Sequence, residues 1–347
     1  MPEIFIRRDG FAGRVTLNRP EALNALTYEM CLAIEKAFDA WREDPEVRLA
    51  IIEGEGERAF CSGGDIAEMY RTGTAGDYEY GRRFWSDEYR LNAKISEWPK
   101  PVVSFLHGYT MGGGVGVGCH GTHRIVCENS RIAMPECGIG LVPDVGGSLI
   151  LARAPGRLGE YLASTAAHMG PADALLAGFA DVFVPRENWL GIKRNLTESG
   201  DTGRIAQFAA HAPPGGLDKV RECVDDIFAK KDIGEIVEAL KYRSTETCAR
   251  ILESIRRNSP LSVAVAVALV RLQRSSSTLR EALRLEYRFT SRAAEHGDFL
   301  EGIRAKIIDK DGTPKWRHRA AEEVPAEDVA RMLAPLSDSS LELEFER

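Results

Sequence analysis

This 347-residue chain is short of positive charge. Its 45 Lys and Arg face 52 Asp and Glu, giving a formal net charge of −7. A nucleic-acid binder ordinarily carries a basic face, so that class is set aside. Long apolar runs are also missing. The longest, LSVAVAVALV at 261–270, stops at Arg271, about half of the ~18–20 residues that span a bilayer. The opening MPEIFIRRDG has no signal-peptide core, so the reading places the protein in the cytoplasm, off the membrane. The seven cysteines are odd in number and form no CxxC; a disulfide framework is not expected, and reduced thiols fit better. Cys137 adjoins Glu136, yet a small buried thiol is the plainer reading. His120 and His123 lack an acidic or cysteine partner at ligand spacing, so no metal site is expected.

The chain itself is rich in alternating elements over its first ~200 residues. FIRRDGFAGRVTLNRP reads as a hairpin. Residues 27–44 read as an amphipathic helix capped by Thr27, with Met30, Ile34, Phe38 and Trp41 on one face. A buried strand spans 47–56, and a second amphipathic helix spans 77–97 with Tyr80, Phe84, Leu91 and Ile95 turned inward. Further strands are PVVSFLHG, RIVCEN and SRIAMPE. This β-β-α recurrence predicts an α/β fold of sheets stacked in a spiral. Helical patterns then take over, at 217–230, 232–241, 244–257, 260–273, 278–294 and 298–304, and HAPPGG (211–216) is the strongest breaker. The expected organisation is a ββα core over 1–205 and a mainly helical region over 206–347, with a charged C-terminal tail that could fray.

Three readings compete for the glycine run GYTMGGGVGVGCHG (108–121). Gly116, Gly118 and Gly121 spell GxGxxG, but a dinucleotide fold needs a helix of roughly ten residues before the next strand, and RIVCEN begins three residues on. Tight helix–strand packing accounts for Gly116 and Gly118. It leaves three consecutive glycines, Gly112 to Gly114, unexplained, because each costs about 1 kcal/mol relative to alanine inside a helix. An oxyanion site explains them: unpaired N–H groups at a strand end stabilise a developing negative oxygen, usually as a pair of donors. The second glycine turn, AFCSGGDI (59–66), could supply the other donor.

ALNAL (22–26), AFCSGGDI, GYTMGGGVGVG and MPECGIGLVPDVGG (134–147), in this order, resemble the signature segments of the crotonase (enoyl-CoA hydratase/isomerase) superfamily. PDVGG, FWSDEYRLN (84–92) and DFLEGIRAKIIDKDGTPKW (298–316) resemble its 3-hydroxyisobutyryl-CoA hydrolase branch. The resemblance implies a ββα spiral that binds acyl-CoA thioesters, and homo-oligomers are common in that superfamily. It maps the two oxyanion donors onto Gly64 and Gly113. It maps the two hydratase glutamates onto position 116, here Gly116, and onto Glu136. The empty position speaks against hydration. The hydrolase branch instead pairs Glu136 with Asp144 and binds substrate through Glu88. By their chemistry, carboxyls eight positions apart on the loop CGIGLVP can turn toward one cavity, whose Ile139, Leu141 and Val142 would dry it and raise a carboxyl pKa. Hydrolysis of a β-hydroxyacyl-CoA is the expected activity, with valine breakdown its setting, CoA arriving as part of the substrate and no other cofactor. An isomerase or hydratase, and a non-catalytic acyl-CoA binder, are the alternatives.

Overall fold

The structure is a computed structural model, and it describes residues 2–243 and 245–336; the charged tail beyond lies outside them. The described chain divides into two compact units, each assembled from separate stretches. The first takes 1–65, 90–133 and 168–215; the second takes 66–89, 134–167 and 216–347. HAPPGG ends at their last junction, Gly215–Gly216.

All the strands belong to the first unit. A six-stranded sheet runs in the order β1 (Ile4–Asp9), β2 (Ala12–Leu17), β3 (Leu49–Gly54), β5 (Val102–Leu106), β7 (His123–Val126) and β9 (Val182–Phe183). A second sheet holds β4 (Ala59–Cys61), β6 (Tyr109–Met111) and β8 (Arg131–Ala133). Among these strand pairs of the described residues, only β1 with β2 is antiparallel. Successive turns of the chain each give one strand to each sheet: β3 then β4, β5 then β6, β7 then β8. This is the predicted spiral. Because side chains alternate along a strand, Leu49 and Ile51, Val103 and Phe105, and Ile125 and Cys127 share one face, covered by Trp189, Ile192 and Leu196. The helix Tyr28–Arg42 forms where its apolar stripe predicts. Thr27 accepts from the Met30 N–H at 3.3 Å, and Met30, Ile34, Phe38 and Trp41 are all buried.

The second unit is helical. Leu217–Phe228, Ile233–Arg243, Glu246–Arg257, Pro260–Gln273 and Leu279–His296 follow the predicted segments closely. Pro260–Gln273 is apolar around its whole circumference and therefore central, packing on Leu158–Thr165, Gly147–Arg153 and Ala326–Leu333. Its LSVAVAVALV run is thus core; no helix among the described residues is long and apolar enough to cross a membrane. Thr278 and Glu281 form a capping box at the start of Leu279–His296. The helix Glu79–Ser96, whose residues from Arg90 on belong to the first unit, buries Phe84, Leu91 and Ile95 as predicted, while Tyr80 stays half-exposed.

Candidate active site

The two predicted donors lie in the first unit, one after each of two neighbouring parallel strands. Gly64 follows β4 and Gly113 follows β6. The Gly64 bridge to Leu26 uses the Leu26 N–H to Gly63 O, 2.9 Å, and the Asp65 N–H to Leu26 O, 2.7 Å. That alternation directs the N–H of Gly64 away from Leu26. Gly113 is the first residue of the short helix Gly113–Gly118, where an N–H has no intrahelical acceptor. The turns adjoin each other: a Cβ on Gly63 would stand 3.8 Å from the Gly113 nitrogen. Gly114 has a different task. A Cβ there would come within 2.3 Å of the Cys61 carbonyl oxygen, so glycine is required for the helix to seat against β4. Gly118 packs as predicted, against Phe60 and Leu106. Gly116, the place of a hydratase carboxylate in the resemblance, is buried.

The predicted carboxyls lie in the second unit. Glu88 is carried by the helix Glu79–Ser96, and Glu136 opens a 3-10 turn, Glu136–Ile139. That turn closes at Gly140, whose φ of +76° suits glycine and whose Cβ would stand 2.4 Å from the Asp298 carbonyl oxygen. The chain then runs to Asp144, followed by two residues of positive φ, Val145 at 51° and Gly146 at 81°. A β-branched residue in that region is strained and must be held by its surroundings.

Glu88, Glu136 and Asp144 are all but fully buried. Glu88 Oε1 and Glu136 Oε2 have no hydrogen-bond partner among the described residues. Buried polar atoms without partners are rare enough to require an explanation, and a bound ligand is one. Burial first, then the neighbouring Asp144 charge, raises Glu88 to about 8. The same two causes hold Glu136 well above its usual range, with smaller pushes from Glu286 and Glu88. Burial raises Asp144 to about 7, while the Tyr89 hydroxyl donates to its Oδ2 at 2.7 Å and pulls the other way. A set of buried carboxyls raised in this way can hold and pass protons near neutral pH.

Cys137 is fully buried and its thiol is pushed far up by burial. Among the described residues no group of histidines, cysteines and carboxylates could hold a metal ion.

Two contributors escape the sequence reading. Tyr89 adjoins Glu88 and is fully buried. Glu286, on the helix Leu279–His296, is also fully buried, and burial raises it to about 8. Its signal was present: Leu279, Ala282, Leu283, Glu286, Tyr287, Thr290 and Ala293 follow helical spacing, and an acid stands on that otherwise core-facing stripe.

Comparison with known proteins places this geometry in a family. A family model described as Enoyl-CoA hydratase/isomerase matches residues 12–333. Curated relatives named 3-hydroxyisobutyryl-CoA hydrolase, mitochondrial, include one from Gallus gallus, 36% identical over 98% of this chain and 91% of its own length. Another, from Homo sapiens, is 35% identical over 98% and 90%. Their names give no support to the expected cytoplasmic placement. A crystal structure described as an enoyl-CoA hydratase from Rhodobacter sphaeroides 2.4.1 is 51% identical, with a TM-score of 0.92 over 96% of this chain and 98% of that one. One described as a carnitinyl-CoA dehydratase from Mycobacterium thermoresistibile is 38% identical, with the same TM-score over 97% and 98%. The chain belongs to the enoyl-CoA hydratase/isomerase (crotonase) family, among relatives named 3-hydroxyisobutyryl-CoA hydrolase.

Proposed function

We propose that this protein hydrolyses a β-hydroxyacyl-CoA thioester, with 3-hydroxyisobutyryl-CoA, an intermediate of valine breakdown, as its substrate. The observation that carries the reading is the carboxyl set itself. Glu136 and Asp144 are buried together on one loop with an oxygen of Glu136 unsatisfied, while position 116 is glycine. Adding water across a double bond calls for two positioned carboxyls in the family's pattern, and one of those positions is empty here. The names of the curated relatives support the same reaction.

In this mechanism the N–H groups of Gly64 and Gly113 stabilise the tetrahedral oxyanion of the thioester, each well-placed donor contributing about 3–4 kcal/mol to the transition state. Ionised Glu136 supplies the nucleophilic push. It either adds to the carbonyl carbon, giving an acyl-enzyme anhydride, or takes a proton from the attacking water; both routes need the same carboxylate. Asp144, held by Tyr89, orients the 3-hydroxyl or relays the proton. Glu88 hydrogen-bonds that hydroxyl. CoA leaves as the thiolate and takes up the proton relayed by the site acids; on the anhydride route water then cleaves the anhydride, releasing the hydroxy acid and restoring the Glu136 carboxylate.

A second reading, hydration, is favoured by the description of the Rhodobacter sphaeroides structure at 51% identity. One assay separates the two. The purified protein is given 3-hydroxyisobutyryl-CoA, 3-hydroxypropionyl-CoA and crotonyl-CoA, and free thiol and enoyl absorbance are followed separately. Thiol release from the hydroxyacyl substrates, with crotonyl-CoA left intact, is the expected result. Loss of enoyl absorbance without thiol release from any substrate would establish hydration instead.

A further inference from the structure

The turn that carries Asp144 is clamped from one side. Glu286 Oε2 accepts from the Gly146 N–H at 2.8 Å, and its Oε1 accepts from the Ser148 N–H at 3.2 Å and from the Ser148 hydroxyl. The Ser148 oxygen in turn accepts from Gln273 Nε2 at 2.9 Å, and the other contact of that amide nitrogen is the Ala282 carbonyl oxygen at 3.0 Å. The proton directions in this chain are therefore fixed: Gln273 gives to Ser148, and Ser148 gives to Glu286. Only an acceptor with two open oxygens satisfies all three donors on Glu286. The ionised carboxylate, which these three hydrogen bonds favour against the upward push of burial, does so, and an amide does not.

The clamp meets the backbone where strain is stored. Val145 alone separates Asp144 from the held Gly146, and both Val145 and Gly146 are at positive φ. One turn along the same helix, Thr290 Oγ1 lies 3.3 Å from the Tyr89 hydroxyl oxygen, and Tyr89 donates to Asp144. Residues i and i+4 share a helix face. One face of Leu279–His296 thus holds the backbone after Asp144 through Glu286, and the side chain of Asp144 through Thr290 and Tyr89.

We infer that Glu286 is a positioning residue for the proposed hydrolysis: it fixes the turn Val145–Ser148 so that the Asp144 carboxyl stands in its working place. The inference rests on the functional reading above for its kinetic consequence, and on the hydrogen bonds alone for its structural one. It makes no contact with substrate necessary for Glu286 itself.

Glu286→Gln tests it. The amide keeps the shape of the side chain and one acceptor, but its NH2 then faces an N–H or O–H donor of the turn. With 3-hydroxyisobutyryl-CoA, kcat is expected to fall roughly tenfold to a hundredfold, in keeping with a small misplacement of a reacting group, while KM stays within about threefold. Amide hydrogen exchange at Gly146 and Ser148 is expected to quicken in the folded variant. Should that variant fail to fold, Ser148→Ala removes only one of the three donors and is expected to show the same split in smaller size. A folded Glu286→Gln, or Ser148→Ala in its stead, with wild-type kcat and wild-type exchange at Gly146 would overturn the inference. If the wild-type protein releases no thiol, the functional reading falls; unchanged exchange in the variant still refutes the clamp, and faster exchange still supports it.

Discussion

Three buried glutamates of this protein meet opposite fates. In the first unit, Glu53 is 6% exposed. Burial pushes its pKa up, but Lys193 and Arg14 reverse that and leave it below the usual range; Lys193 Nζ stands 2.5 Å from Oε2 and Arg14 reaches Oε1. In the second unit, Glu136 is 4% exposed and Glu88 3%. Burial raises both, and their electrostatic neighbours are further acids. Equal burial therefore yields a structural ion in one place and a proton-holding acid in the other. The difference lies in the partners, since an unpaired buried charge costs several kcal/mol and the group neutralises instead. Glu160, in the second unit and fully buried, is paired with Arg157, Arg271 and Arg274, so the contrast follows the partners and not the unit.

The sharpest break of that contrast is Glu136→Gln. It removes the ionisable group while keeping its shape, and thiol release is expected to drop by about 10³-fold or more, the scale of losing a base or nucleophile. Binding of acyl-CoA, read by calorimetry, is expected to persist. Near-normal turnover would take Glu136 out of the mechanism.

Next in size is Lys193→Met. It strips a principal cation from Glu53 and leaves a buried carboxylate undercompensated, at a cost of about 3 kcal/mol, seen as a lower urea midpoint. Its pH dependence has a definite sign. The folded-state pKa of Glu53 lies below the ordinary 4.5, so its contribution is complete above that value and is lost as pH falls through the folded pKa. The wild-type advantage over the variant is therefore expected to shrink in acid. An unchanged midpoint near neutral pH would mean that Arg14 alone suffices.

Smallest is Glu88→Gln. The folded pKa of Glu88, about 8, lies above its ordinary 4.5. Between those values the folded state binds more protons than the unfolded one, so this residue's effect on stability worsens as pH rises. The amide escapes that penalty. Its Tm is expected to exceed wild type by roughly 1–2 °C above pH ~8, about 1 kcal/mol for a chain of this size, and to match it near pH ~5, while turnover falls. A variant less stable than wild type at high pH would show that the charged form is stabilised rather than penalised.

How much of this was legible in the sequence depends on element length. Helices of eleven residues or more in the second unit, such as Glu246–Arg257 and Pro260–Gln273, repeat their stripe enough times to be read. The strand β9 has two residues and β4 and β6 three each; no period fits in so short a stretch, and only pairing defines them, whereas β8, also of three residues, falls inside the predicted SRIAMPE. The helix Trp189–Ser199 went unread although Trp189, Ile192 and Leu196 sit on one face, because Gly191 interrupts it and 3-10 turns flank it. At the candidate site, Glu136, Asp144 and Glu88 were expected from the family signatures. Tyr89 and Glu286 were not, since each is tied to Asp144 or to its turn across more than fifty positions of chain. Such a tie leaves no local pattern beyond an acid on a core-facing stripe.

The central claim, that unpaired burial makes the second unit's carboxyls the working groups, is tested most directly by the pH dependence of kcat/KM for thiol release from 3-hydroxyisobutyryl-CoA. The working base must be ionised, so activity rises with pH through the pKa of the coupled acids. Asp144 is raised to about 7 and Glu136 lies well above its usual 4.5. The profile is therefore expected to rise through neutral pH or higher, as an apparent constant of the set rather than of one residue. Activity already at its plateau near pH ~5, where an ordinary glutamate is ionised, would contradict the account.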